Sequence, residues 1–196
     1  MNRYYDALQD KWGKFIKKKG YCVNGPMRFI YKDAWLNEFF KEFATEEIEV
    51  YFKKVLGAEL HPELRDFYAW TNGCRLFFSS LSIYGILPSS KDKIVPFDIE
   101  YENKKLAISM GANKYLFFAS IGGEYVFGYD KETPSNVYGM KVGDISVLQT
   151  FNGINDFFDH YFDILIDEYG VDCKKLHPAE AYRGIPVLEN KCTELL

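Results

Sequence analysis

Apolar positions change their spacing twice along this chain. Near the start, Tyr4, Tyr5, Leu8, Trp12, Phe15 and Ile16 recur at three- and four-residue steps, which predicts an amphipathic helix stopped at Lys19-Gly20. Asn24-Gly25-Pro26 is a turn signal. A second short helix is expected from Asp33, with Trp35, Leu36, Phe39, Phe40 and Phe43 on its buried side. Residues 1–44 therefore read as a helical N-terminal extension. Thr45 then reads as the cap of a helix with Ile48, Tyr51, Phe52, Val55 and Leu56 as its stripe and Gly57 as its stop. Another helix opens at Pro62, whose missing N–H costs nothing in a first turn, and closes at Asn72-Gly73.

From Cys74 the period shortens. Aromatic and β-branched segments at 76–80, 82–86, 94–102, 106–110, 115–121, 124–129, 137–140 and 145–150 are separated by turn residues and predict strands. Gly122-Gly123 joins two of them as a hairpin in which both positions can take positive φ. A final helix is expected from Ile154 to Tyr169, apolar along Phe157, Phe158, Tyr161, Phe162, Leu165 and Tyr169. Helices, then strands, then a helix, without β–α alternation, give a single α+β domain. Its mostly antiparallel central sheet is flanked by N-terminal helices and one C-terminal helix. The expected organisation is an extension over 1–44, a core over 45–170 and an irregular tail over 171–196.

Composition narrows the function. The 196 residues carry 24 Lys+Arg against 28 Asp+Glu, a net charge of −4, and 47% are apolar, which excludes a disordered chain. A pI near 5.5 speaks against a dedicated nucleic-acid binder. Aromatics at 18% point to a ring-rich core with Tyr left over for recognition. No export signal and no membrane-spanning apolar run is legible, so a cytoplasmic protein is expected. Cys22, Cys74, Cys173 and Cys192 are widely spaced and read as reduced thiols.

Enzymatic signatures are missing: no nucleophile elbow, no phosphate-cradling loop, no dinucleotide fingerprint. Of the three histidines, His61 precedes Pro62 and reads as a capping or turn residue, while Cys173 and His177 supply two ligands where structural zinc wants four. No catalytic, cofactor-binding or metal-binding residue is assigned. Two acidic arrays stand out instead. Asp156, Asp159, Asp163 and Asp167 line one face of the last helix, with no Lys or Arg between Gln149 and Asp172. Asp98, Glu100 and Glu102 alternate with Ile99 and Tyr101 and share one face of an expected strand. Either array suits a basic partner, since a negative field speeds its capture. Either also fits an ordinary solvated face. The Lys17–Lys19 run reads as a solvated helix end.

Three stretches together resemble the SUKH superfamily, which includes yeast-type regulators of cell-wall glucan synthesis and many bacterial immunity proteins. Leu60 to Gly73 is similar to its helix that begins at Pro, carries an aromatic or Leu pair and ends in Asn-Gly. Tyr115 to Asp130 resembles its central hairpin with a Gly-rich turn and an aromatic-Asp ending. Phe151 to Leu165 resembles its closing aromatic and Phe-paired helix. Cys74 departs from the pattern, standing where a further Gly often follows Asn-Gly. The resemblance implies a non-catalytic binding module, in its bacterial branch an immunity protein that neutralises a cognate toxin, often a nuclease. The alternative it implies is a regulatory or scaffold adaptor without a toxin partner. On the first reading the contact residues are Asp98, Glu100, Tyr101, Glu102, Asp156, Asp159, Asp163 and Asp167, and no nucleic acid or membrane is contacted directly.

Overall fold

The strand-forming segments pair in the order in which the chain supplies them. The structure, a computed structural model, describes residues 2–28, 30, 34–41, 45–86 and 97–175. Among these, nine strands form one antiparallel sheet in which every strand neighbours the next: β1 (Ile16–Lys18), β2 (Tyr21–Pro26), β3 (Trp35–Phe40), β4 (Cys74–Leu76), β5 (Leu81–Ile83), β6 (Tyr115–Ile121), β7 (Tyr125–Asp130), β8 (Val137–Lys141) and β9 (Val147–Phe151). Helices interrupt this meander. Helix α1 (Asn2–Trp12) precedes it, and α2 (Thr45–Tyr51) and α3 (Pro62–Trp70) lie between β3 and β4. Helix α4 (Ile99–Met110) lies between β5 and β6, and α5 (Ile154–Glu168) follows β9. No described helix is long and apolar enough to cross a membrane.

The expected α+β class and antiparallel sheet are observed. The strand over 115–121 matches β6, and Gly122 and Gly123 both take positive φ, +58° and +72°, at the turn into β7. Helix α2 runs into a π-helical turn over Phe52–Leu56, and Gly57 closes it at φ +60° as expected. His61 caps α3: its Nδ1 accepts from the Glu63 N–H at 3.2 Å.

Four expectations are corrected. The first helix ends at Trp12, because Gly13 at φ +84° turns the chain; Phe15 falls in the connection and Ile16 in β1. The helix expected around Trp35–Phe40 is β3, so residues 1–44 are not a helical extension but include three strands of the common sheet. Leu36, Asn37, Phe39 and Phe40 are all buried because both faces of β3 are covered, and that erases the alternation that marks a half-exposed strand. The strands expected over 98–102 and 106–110 are one helix, α4. Ile99, Leu106 and Met110 are its buried side at seven- and four-residue steps, and Asp98 and Gly111 are its caps. Residues 94–96 of the first of these strands lie outside the described residues. Lys17 and Lys18 sit on edge strand β1, with Lys19 in the turn that follows, rather than at a helix end.

One buried cluster joins the helices to the sheet. Phe157 of α5 packs on Phe118, Phe127 and Phe151 with ring centres 5.6, 4.7 and 5.6 Å away. Phe158 reaches Phe67 of α3 and Tyr4 of α1. Cys22, Cys74 and Cys173 are free thiols, and burial raises the pKa of each. Cys192 and His177 lie outside the described residues.

Candidate protein-binding surface

Helix α5 is fixed at its start by a side chain from another helix. Gly153 precedes it at φ +149° and offers no side-chain cap. The Glu63 carboxylate of α3 takes that place, accepting from the Ile154 N–H at 2.7 Å, the Asn155 N–H at 2.9 Å and the Asn155 Nδ2 at 2.8 Å. A carboxylate there satisfies orphan donors and faces the positive end of the helix dipole. A Cβ on Gly153 would stand 2.8 Å from Glu63 Oε2, so the glycine makes room for the cap. Glu63→Ala should cost about 1–2 kcal/mol of stability, and Glu63→Gln somewhat less, measured by urea unfolding. Equal stability of both variants with the native chain would show that the cap is immaterial.

The N-terminal helix runs along the flank of α5 and holds it at three levels. The Tyr4 hydroxyl and the Arg3 guanidinium both meet the Asp159 carboxylate. Lys11 donates to the Ile166 carbonyl at 2.5 Å, and the Trp12 indole donates to the Gly170 carbonyl at 2.8 Å. The cations absent from α5 itself thus arrive from α1, which neutralises one member of the acidic stripe. The other three remain exposed: Asp156, Asp163 and Asp167. Asp156 accepts from the Asn152 N–H at 3.0 Å, and no ion pair involves any of the three among the described residues. At 100° per residue they fall within about 40° of arc and span about 16 Å along the axis.

The second acidic array is reorganised. Asp98 caps α4, accepting from the Glu100 N–H at 3.2 Å. Glu100 pairs with Lys104 at 2.5 Å and accepts from the Tyr51 hydroxyl at 3.3 Å. Glu102 pairs with Lys105 at 3.4 Å. These acids serve the first turn of a helix and its own lysines, so they do not form the single strand face expected of them. Tyr101 points outward at 63% exposure. Nothing in these contacts joins the α4 acids to the α5 stripe. Glu63 carried no signal in the chain beyond a carboxylate in a first turn; its partner lies 91 residues away.

Two more polar residues of the motifs are structural. The Asn72 amide clips the β5 exit: its Nδ2 donates to the Ile86 carbonyl at 2.9 Å and its Oδ1 accepts from the Ile86 N–H at 2.8 Å. Asn72 does not take positive φ; Gly73 does, at +87°. Asp130, closing β7, accepts from Lys114 at 2.9 Å and from the Glu132 N–H at 3.0 Å. The Lys114 contact, followed by that N–H, holds its carboxyl below the usual range.

The stretches so connected are those of one known family. The model of the SMI1 / KNR4 family (SUKH-1) matches residues 44–160, which include α2, α3, α4, β4 to β9 and the first half of α5. Comparison with curated proteins gives no match. With well over half of its length matched, the chain belongs to the SMI1 / KNR4 (SUKH-1) family.

Proposed function

We propose that this chain is a non-catalytic, immunity-type protein that binds a basic protein toxin through the outward face of α5 and occludes the toxin's active site. The observation that carries the reading is the row of exposed carboxylates at Asp156, Asp163 and Asp167, none in an ion pair among the described residues, on a helix anchored by Glu63 and α1. A rigid row of negative charge suits a surface that would otherwise hold a phosphate backbone, and a nuclease is necessarily basic there. It also steers association over distances beyond contact. Asp159, Asp98, Glu100 and Glu102 are engaged internally and are not assigned to this surface. Tyr101, exposed on α4, is assigned as an aromatic contact, the kind of side chain that anchors interfaces. Family membership supports a protein-binding role, and a cytoplasmic location suits a toxin acting inside the cell.

The test is capture of partners on the tagged full chain from its native cell, followed by co-expression with each captured protein. The expected result is a basic protein whose toxicity the chain relieves. Capture of endogenous regulators alone, with no toxic protein among them, would replace this reading by a regulatory adaptor.

A further inference from the structure

A cleft of about 450 Å³ opens beside edge strand β1, where the β1–β2 turn, the end of β3 and the end of α3 meet. Its aromatic wall includes Tyr5, Phe39 and Trp70. Trp70 stands edge-on to Tyr5 at 5.5 Å and to Phe39 at 4.8 Å between ring centres, and Tyr5 and Trp70 keep part of their surface in solvent. Three lysines, Lys17, Lys18 and Lys41, line it, and no Asp or Glu does. Lys17 and Lys41 are exposed, and none of the three forms an ion pair among the described residues. Lysines on an edge strand discourage sheet-to-sheet aggregation, which accounts for Lys17 and Lys18 alone. It does not account for half-exposed rings behind them, or for Lys41 across the cleft. Apart from Trp70 and Thr71, the lining residues precede residue 44, so the cleft is built mainly by the part of the chain that the family match leaves out.

We infer that this cleft is a second interaction site, which takes an acidic segment of a partner protein by seating an aromatic side chain against Trp70 and Tyr5 while Lys17 and Lys41 hold the flanking carboxylates; Lys18, whose ammonium lies over the Trp35 ring at 5.4 Å, adds only to the local positive field. The charge of the site selects the occupant: cations at the rim and rings at the base complement an aromatic residue set among Asp or Glu. The volume lies within the roughly 300–1,000 Å³ of ordinary ligand sites. A nucleic acid would also stack and pair with lysine. It would then meet a chain of net charge −4, whose long-range field opposes a polyanion more than it opposes a short peptide. The site is independent of the α5 surface and of the toxin reading, and its charge preference is the opposite one.

The test is a titration of the full-length, isotope-labelled chain, followed by two-dimensional NMR, which registers weak binding. The probe is the peptide acetyl-Asp-Asp-Phe-Asp-Asp-amide. The expected result is saturable shifts confined to the Trp70 indole, the Lys17 and Lys18 amides and their neighbours, weaker at roughly 300 mM than at roughly 50 mM salt. The peptide with Lys for each Asp should leave these signals in place, and the peptide with Ala for Phe should bind more weakly. Lys17→Glu/Lys41→Glu should weaken binding by roughly tenfold or more. Both positions are exposed, so an unchanged spectrum elsewhere will show that the variant is folded. Equal shifts with the lysine peptide, or no localised shifts with the acidic one, would overturn the proposal. So would stronger shifts with a single-stranded oligonucleotide, or concentration-dependent shifts in the free protein that mark a second copy as occupant.

Discussion

Phe157→Ala should lower the stability of the domain by about 3–5 kcal/mol, a large part of the roughly 5–15 kcal/mol that holds such a domain together. Phe157 has no solvent exposure and touches rings from three strands, Phe118 on β6, Phe127 on β7 and Phe151 on β9. Truncation removes its transfer energy and opens a cavity whose walls are themselves bulky rings. These walls cannot close the gap, because each is fixed by further rings: Phe127 by Tyr161 at 5.2 Å, Phe118 by Tyr129 at 6.3 Å. Phe157→Leu should recover much of the loss. Equilibrium urea unfolding decides the matter: a loss below about 1 kcal/mol would mean that α5 is not a core helix.

The second large effect is expected at Asn72. Its side chain is buried and replaces the missing strand neighbour of Ile86, satisfying both backbone groups of that residue. Asn72→Ala leaves a buried N–H and a buried carbonyl without partners, at about 1–3 kcal/mol for each group. A total of about 2–6 kcal/mol is expected, with loss of hydrogen-exchange protection at the Ile86 amide. Asn72→Asp should be at least as damaging, since a carboxylate cannot donate to the Ile86 carbonyl and carries charge into the core. Retained protection at Ile86 in the alanine variant would show that the clip is dispensable.

These two residues also mark what can be read from a chain of this kind. The aromatic face of the last helix, containing Phe157, was legible because a 3.6-residue period survives wherever one side meets solvent. Hairpin β6–β7 was legible from its glycines. The turn reading of Asn72-Gly73 was half right: Gly73 turns the chain, while Asn72 works at a distance of 14 residues, which no local pattern encodes. Strand β3 reads as a helix in the sequence because burial on both sides removes periodicity. Helix α4 reads as strands in the sequence because the alternation of Asp98 to Glu102 is also what a capped, acidic first turn looks like.

The candidate surface divides in the same way. The spacing of Asp156, Asp159, Asp163 and Asp167 on one helical face was fully legible. Neutralisation of Asp159 by Arg3 was not, because it joins residues 156 apart in the chain. Nor was the Glu63 cap that orients the helix. Both depend on tertiary neighbours, and the first engages one of the four aspartates.

The proposed function rests on the exposed acids of α5 binding a basic partner. The most direct measurement is the salt dependence of affinity for the captured toxin, compared between the native chain and Asp156→Asn/Asp163→Asn/Asp167→Asn. These side chains are exposed, and Asn at 156 keeps an acceptor for the Asn152 N–H, so the variant should unfold at nearly the same urea concentration as the native chain. The expected result is a roughly 30-fold or greater loss of affinity near 50 mM salt, a slower association rate and a clearly flatter salt slope. Unchanged affinity with an unchanged salt slope would contradict it and return the aspartates to the role of solvated surface.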